Sequence, residues 1–239
     1  MTGNDEQTQY VLNLNVVPHL LGLLDHPKKN IRKEACWTIS NITAGTAAQI
    51  QLIISNNVVP KLVHLLFTAE FDVQKEAAWA ISNATSGGTE DQVLYIVQQQ
   101  GIAALASLLD PKKTLADVRI ITVALEGLEN ILKHARRRAD VFSQVMEMFH
   151  EVHPVKHYIL SFIYSHCYHY LTTKAQAVDF LENLQHHQNS NLAAKATKIL
   201  ETYWNAEDVE DTNLTPSANG SVFSFTGAGT GPGTGQYEF

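Results

Sequence analysis

The chain has 239 residues, of which 45% are apolar, and a formal net charge of −7. This acidic balance argues against a nucleic-acid-binding surface and favours a cationic partner. The polar amino-terminal residues are unlike a secretory signal, and the most apolar stretch, residues 158–171, is shorter than the roughly 20 apolar residues of a membrane helix. We therefore expect a soluble protein that binds neither nucleic acid nor a membrane. Cys36 and Cys167 lie far apart in sequence, which suits a reducing intracellular compartment without disulfides.

The first 134 residues repeat themselves at an interval of about 42 residues. Residues 15–18 recur as residues 57–60, and residues 33–37 recur with one change as residues 75–79. A helical repeat of this length predicts a solenoid of the armadillo or HEAT type, in which each unit buries its apolar face only against its neighbours. The function should then lie along an extended groove and not in a closed pocket.

Helical patterns follow one another in the same order in each repeat. Apolar residues recur at helical spacing over residues 16–24, until Pro27 ends the pattern, and again over residues 31–43, until Gly45. The third copy has the right order but a looser fit. The matching segments are 58–66, 73–84 and 91–98 in the second repeat, and 102–109 and 118–132 in the third.

Three segments of different composition follow the repeats of residues 1–134. Residues 135–173 form an atypical insertion rich in histidine and aromatic residues, for which an irregular loop, a helix and translated intron sequence are the alternatives. Residues 174–205 carry a regular apolar pattern and are expected to form two terminal capping helices. Residues 206–239 are acidic and then rich in glycine, serine and threonine, and we expect this tail to be disordered.

The insertion contains the residues that could support metal binding or catalysis. Histidines lie around Cys167, at positions 150, 153, 157, 166 and 169. Their spacing lacks the tight pairs of an ordered zinc site, so we expect no metal. Cys167 beside His166 or His169 is a nucleophile-and-base candidate, but no oxyanion-hole glycine motif or orienting group accompanies it. We expect neither a cofactor nor enzymatic activity.

A tryptophan and an asparagine four residues apart occur twice: Trp37 with Asn41, and Trp79 with Asn83. On a helix each pair shares one face, and in the first copy the core face is already supplied by apolar residues at positions 35, 39 and 42. An indole can face a cation and pack on its methylene stem, while a carboxamide can bond the backbone of an extended peptide. We therefore predict two copies of a recognition unit for lysine and arginine side chains. The alternative, that both tryptophans are large core residues, is disfavoured because core positions seldom need an asparagine one turn away.

Three longer motifs contain or precede these pairs, at residues 2–9, 33–45 and 75–88, the last reading Lys-Glu-Ala-Ala-Trp-Ala-Ile-Ser-Asn-Ala-Thr-Ser-Gly-Gly. In these motifs the chain resembles the importin α family. The match runs nearly without gaps over residues 2–134 and returns over residues 181–204. The resemblance implies an all-α, armadillo-repeat, right-handed superhelical solenoid. It also implies a nuclear import adaptor that binds nuclear localisation signals of cargo proteins in an extended groove. The part retained here would be carboxyl-terminal, with the minor signal-binding site but without the segment that binds importin β.

By motif, the resemblance assigns ten residues to peptide binding. Gly3 and Thr8 would help to form a lysine pocket, and Lys33 would line the groove. Asn130 is kept in the third repeat, where Glu126 takes the tryptophan position. The others would contact basic cargo residues: Trp37, Ser40, Asn41, Glu76, Trp79 and Asn83.

The resemblance also implies further partners and a cellular location. An export receptor and a nucleoporin would bind between about residues 130 and 211, and the protein would shuttle between cytoplasm and nucleus. Two other functions are possible on the sequence. One is a catenin-like armadillo scaffold for acidic tails, which the acidic net charge and the Trp-Asn pairs disfavour. The other is a truncated chain that does not carry cargo inward.

Overall fold

The computed structural model describes residues 4–110, 117–150, 176–204, 217–219 and 222–224. The chain divides into two compact units, Met1–Leu200 and Glu201–Phe239. The helices and strands of the described ranges are α1 (Asp5–Asn13), α2 (Val17–Leu23), α3 (Lys29–Thr43), α4 (Ala47–Ser55), α5 (Val58–Thr68), α6 (Phe71–Gly87), α7 (Glu90–Gln98), α8 (Gly101–Ala106), α9 (Val118–Arg136), α10 (Ala139–His150), α11 (Gln176–Leu184), α12 (Ser190–Tyr203), β1 (Ser217–Asn219) and β2 (Val222–Ser224). No single helix among these residues is long and apolar enough to cross a membrane, although α4 and α5 together, bent by 79°, meet that test of length and composition.

The first nine helices of the described residues form three repeats of three helices each: α1–α3, α4–α6 and α7–α9. Helix α7 begins the third repeat, whereas the sequence analysis placed its pattern, residues 91–98, in the second. The last helices of consecutive repeats pack on one another, α3 on α6 and α6 on α9. Because each repeat lies next to its sequence neighbour, the apolar faces form one continuous core. This is the predicted all-α armadillo solenoid, and that prediction is confirmed.

The amino-terminal cap of each repeat's first helix explains a recurring glutamine. Thr46 and Thr89 cap α4 and α7, and the glutamine three residues later completes each capping box. These glutamines, Gln49 and Gln92, are buried and also reach the previous repeat, where their Nε2 atoms donate to the carbonyl oxygens of Asp5 at 3.0 Å and Ala47 at 2.9 Å. One side chain therefore both starts a helix and joins two repeats.

A left-handed residue precedes the second helix of every repeat. Asn15 and Asn57 both have a φ of 57°, and Gln100 has a φ of 69°. Asparagine tolerates this conformation better than most residues, which accounts for its place at the start of the repeated segments 15–18 and 57–60. The recurring Asn-Val-Val-Pro sequence is therefore a turn followed by a helix start.

The core faces predicted for the motif helices are buried. Ala35 is 2% exposed, and Ile39 and Ile42 are fully buried on α3. Ala77 and Ile81 take the same places on α6, also at 0% exposure. The remaining sides of α3 and α6 are free to present other residues along the stack.

Three helices follow the repeats within the described ranges. Helix α10 covers part of the predicted insertion of residues 135–173 and packs on α8, α9 and α11. Helices α11 and α12 lie within residues 174–205, where two terminal helices were predicted, and bury Leu181, Leu192 and Ile199. The rest of the insertion, including Cys167 and most of its histidines, lies outside the described residues.

The unit Glu201–Phe239 contains one feature that the sequence analysis did not anticipate. Strands β1 and β2 pair antiparallel, with Ala218 opposite Phe223 and Asn219 opposite Val222. These six residues are therefore an exception to the predicted disorder of residues 206–239, most of which lie outside the described ranges.

Candidate peptide-binding groove

An open cavity of about 220 Å³ lies between the last helices of the first two repeats. Helix α3 contributes Trp37, Ser40 and Asn41 to its lining, and helix α6 contributes Glu76, Trp79 and Asn83. All six belong to the ten residues that the sequence analysis assigned to peptide binding. Because α3 and α6 pack side by side, residues 42 apart in sequence become neighbours along the stack.

The two tryptophans of the cavity are directed outward. Trp37 is 37% exposed and Trp79 is 40% exposed, in contrast to the fully buried Ile39 and Ile81 two residues further along each helix. The alternative interpretation of both tryptophans as core residues is therefore wrong. Their indole faces are available to a chain lying across α3 and α6.

The two asparagines are held in place by different bonds. Asn41 donates from Nδ2 to the Trp37 carbonyl oxygen at 2.9 Å, one turn back on its own helix. Asn83 donates from Nδ2 to the Ser40 carbonyl oxygen at 3.0 Å, across to the previous repeat. A carboxamide has a second N–H and an acceptor oxygen that neither bond uses. Both side chains are thus oriented while keeping groups that can pair with a peptide backbone.

Ser40 lines the cavity together with the two asparagines. Its hydroxyl is turned back to its own helix, where Oγ donates to the Trp37 carbonyl oxygen at 2.8 Å. The side chain is 6% exposed. Ser40 therefore contributes mainly shape and the backbone oxygen that holds Asn83, a bond that sequence alone did not reveal.

Glu76 supplies the carboxylate of the cavity lining. Burial raises the pKa of its carboxyl group above the usual value, and the positive charges of Lys33 and Lys75 act in the opposite direction. Lys33 itself lies outside the lining, with its Nζ 3.5 Å from Oε1 of Glu34. A cationic side chain entering the cavity would meet the partly desolvated carboxylate of Glu76. The positive charges of Lys33 and Lys75 would weaken the attraction between the two.

The other predicted site residues do not line this cavity. Thr8 is buried on α1, and Gly3 lies outside the described residues. Asn130 lies on α9, where its Nδ2 donates to Oγ1 of Thr85 on α6 at 3.4 Å. Asn130 thus repeats the cross-repeat bond of Asn83, although with a different acceptor.

No group of three histidine, cysteine, aspartate or glutamate residues that could hold a metal ion occurs in the part of the chain that the structure describes. Most of the histidines considered for zinc lie outside that part. Burial raises the pKa of the Cys36 thiol to about 12, so this cysteine stays protonated and unreactive at neutral pH.

Comparison with known proteins agrees with the helical arrangement. The Armadillo/beta-catenin-like repeat family matches residues 4–44 and 46–86, and the Atypical Arm repeat family matches residues 168–217. Importin subunit alpha-1a of rice (Oryza sativa subsp. japonica) is 42% identical over 248 aligned positions, which cover 100% of this chain and 41% of the relative. Importin subunit alpha-2 of Arabidopsis thaliana is 50% identical over 199 positions, which cover 82% of this chain and 33% of the relative.

The chain belongs to the importin α family. It spans 41% or less of the length of these two relatives. Importin α and armadillo-repeat proteins are adaptors and scaffolds and not enzymes, as the sequence analysis expected. A solved structure with the same architecture is a designed armadillo repeat protein in complex with the peptide (KR)4, with a TM-score of 0.54 and 28% identity, covering 84% of this chain and 87% of that one.

Proposed function

We propose that the protein is a nuclear import adaptor that binds lysine- and arginine-rich nuclear localisation signals along the α3–α6 groove. The observation that carries this proposal is the pair of outward-facing tryptophans, Trp37 and Trp79, one repeat apart on either side of an asparagine-lined cavity. This site is the minor signal-binding site implied by the family resemblance.

The spacing of the groove suits an extended peptide. Packed helices lie roughly 8–10 Å apart, and an extended chain advances about 3.3 Å per residue. One repeat step therefore spans about three peptide residues. A short basic segment of about six residues would reach both tryptophans.

The chemistry of the lining favours basic side chains. An indole face attracts a lysine or arginine cation by about 0.5–2 kcal/mol, and the methylene stem packs on the same ring. Glu76 adds a negative charge, and no lysine or arginine is among the lining residues described for the cavity. A catenin-like scaffold for acidic tails would instead need a lysine-lined groove.

The designed relative supports the same ligand class. That protein is seen with (KR)4, an alternating lysine and arginine peptide, and it matches most of this chain. We extend this ligand class to the present chain because its own two tryptophans and two asparagines recur one repeat apart.

Fluorescence polarisation of a labelled lysine-rich peptide, titrated with the chain, tests the proposal. We expect saturable binding that weakens with salt and is lost in the Trp37→Ala/Trp79→Ala variant. Trp204→Ala is the matched control, because Trp204 is not among the residues that line the cavity. A glutamate-rich peptide that binds more tightly than the lysine-rich one would contradict the proposal and favour the scaffold.

The remaining partners and the location are also proposals. An export receptor and a nucleoporin would contact residues 130–211, of which the structure describes 130–150 and 176–204. Import with cargo, followed by export with that receptor, would move the protein between cytoplasm and nucleus. Imaging of a fluorescent fusion, with and without a block of nuclear export, tests this part.

A further inference from the structure

The third repeat departs from the Trp-Asn pattern in a defined way. Asn130 lies one turn after Glu126 on α9, as Asn83 lies one turn after Trp79 on α6. Asn130 also bonds back to the previous repeat, as Asn83 does. Glu126 therefore stands at the third step of the groove, with a carboxylate in place of an indole.

A lysine of the chain itself pairs with this carboxylate. Nζ of Lys195, on α12, lies 3.0 Å from Oε1 of Glu126 and 4.0 Å from Oε2 of Glu129. A second open cavity, of about 300 Å³, lies beside Lys195 and Glu129. The position that a third cationic residue of a peptide would seek is thus already taken by an internal ammonium group.

We propose that Lys195 acts as an internal competitor at the third step and limits the basic peptide to the two tryptophan steps. This inference rests on the proposed function. It names Lys195 as a specificity-determining residue that sets the length of the basic segment recognised. A peptide with a further basic residue beyond the second step gains nothing unless it displaces the lysine from Glu126.

The charges around the pair identify which carboxylate Lys195 neutralises. Glu129 has a second partner on its own helix, since Lys133 Nζ lies 2.8 Å from its Oε1. Glu126 has Lys195 as the cationic partner that the described structure shows. Removal of the Lys195 charge would therefore expose Glu126 while Glu129 stays paired.

The exposure of the pair sets the size of the effect. The side chains of Lys195 and Glu126 are 26% and 43% exposed. Ion pairs this accessible to water are weak, so the released carboxylate should improve binding of a third-step lysine by about two- to fivefold.

The experiment compares three labelled peptides by fluorescence polarisation. One spans the two tryptophan steps, and the others add about three residues with a central lysine at the amino or the carboxyl end. For Lys195→Met, which keeps the apolar stem, we expect tighter binding of one extended peptide only, namely the one that runs past Trp79 towards Glu126. The short peptide and the oppositely extended peptide should bind as they do to the wild type. Thermal melts check that each variant is folded, and Lys195→Gln replaces Lys195→Met if the latter is not.

Two controls separate a local effect from a change in net charge. Lys133→Met removes the same charge from a neighbouring position and should leave all three affinities unchanged. Adding Glu126→Gln to Lys195→Met should abolish the gain. An equal gain for all peptides, or no gain for either extended peptide, would overturn the inference. Failure of the wild type to bind even the short peptide would contradict the proposed function itself, which distinguishes the two cases.

Discussion

At the scale of single residues, Asn83 joins the two repeats that form the groove. Its amide bonds the Ser40 carbonyl oxygen of the previous repeat, so the groups left for a peptide are fixed with respect to both α3 and α6. Asn41 has the same position in its own repeat but bonds within its helix. The two asparagines occupy equivalent positions in the sequence repeat, but only Asn83 forms a hydrogen bond between repeats.

This difference predicts unequal costs of substitution. Asn83→Ala should lower the free energy of unfolding by about 0.5–1.5 kcal/mol, because an inter-repeat hydrogen bond is lost. Asn41→Ala should cost less, because its loss leaves the contact between repeats intact. Urea denaturation of both variants measures this. Equal costs would show that the bond between Asn83 and Ser40 contributes nothing to repeat coupling.

Glu76 predicts how peptide binding depends on pH. Burial raises the pKa of its carboxyl group, so on acidification Glu76 loses its charge at a higher pH than an ordinary glutamate with a pKa of about 4.3. The contribution of Glu76 to the affinity for a basic peptide should therefore be fully present well above the raised pKa of Glu76. It should be lost as the pH falls through that pKa. Titrations of the wild type and Glu76→Gln at several pH values test the expectation. A variant with the same pH dependence as the wild type would exclude Glu76 as the cause.

At the scale of secondary-structure elements, the first helix of each repeat is anchored by its capping glutamine. Gln92 accepts from the Thr89 backbone N–H and donates to the Ala47 carbonyl oxygen and to Gln51 Oε1. Gln7 completes the capping box of α1 but its side chain is exposed. The same motif therefore has a local function in α1 and an additional inter-repeat function in α7.

We expect Gln92→Ala to destabilise the chain by about 1–3 kcal/mol, because it removes three part-buried hydrogen bonds, two of them to the previous repeat. Gln7→Ala is the matched control and should cost no more than about 1 kcal/mol, the usual value of a helix cap. Chemical denaturation gives the loss in the free energy of unfolding for each variant. The difference between the two losses measures what the inter-repeat bonds of Gln92 contribute to stability. If both substitutions have the same effect, Gln92 acts as a cap alone.

The sequence predicted well those elements whose structure is determined by residues close together in the chain. Repeated segments such as 33–37 and 75–79 form equivalent helices because the same local pattern meets the same neighbours, and the outward position of Trp37 follows from the apolar residues on the opposite face. Contacts between distant residues did not follow from pattern. The bond between Asn83 and Ser40 spans 43 positions and that between Lys195 and Glu126 spans 69, and both depend on how the helices pack.

At the scale of the whole molecule, a groove with only the two proposed recognition steps would have a limited affinity for a peptide. Each step offers at most a few kcal/mol from one indole and one amide, part of which is lost in ordering the peptide. A dissociation constant of about 1 μM requires about 8 kcal/mol. We therefore expect a single basic cluster to bind weakly, with the net charge of −7 aiding its approach at low salt.

In the proposed complex, a basic peptide lies across Trp37 and Trp79. The chain has three tryptophans, so ¹⁹F NMR of 5-fluorotryptophan-labelled protein should give one resonance for each, assigned by single substitutions. On titration with a lysine- and arginine-rich peptide, the resonances of Trp37 and Trp79 should shift together while that of Trp204 stays in place. A saturating peptide that leaves the first two unmoved, or that shifts Trp204 alone, would contradict the groove as the binding site.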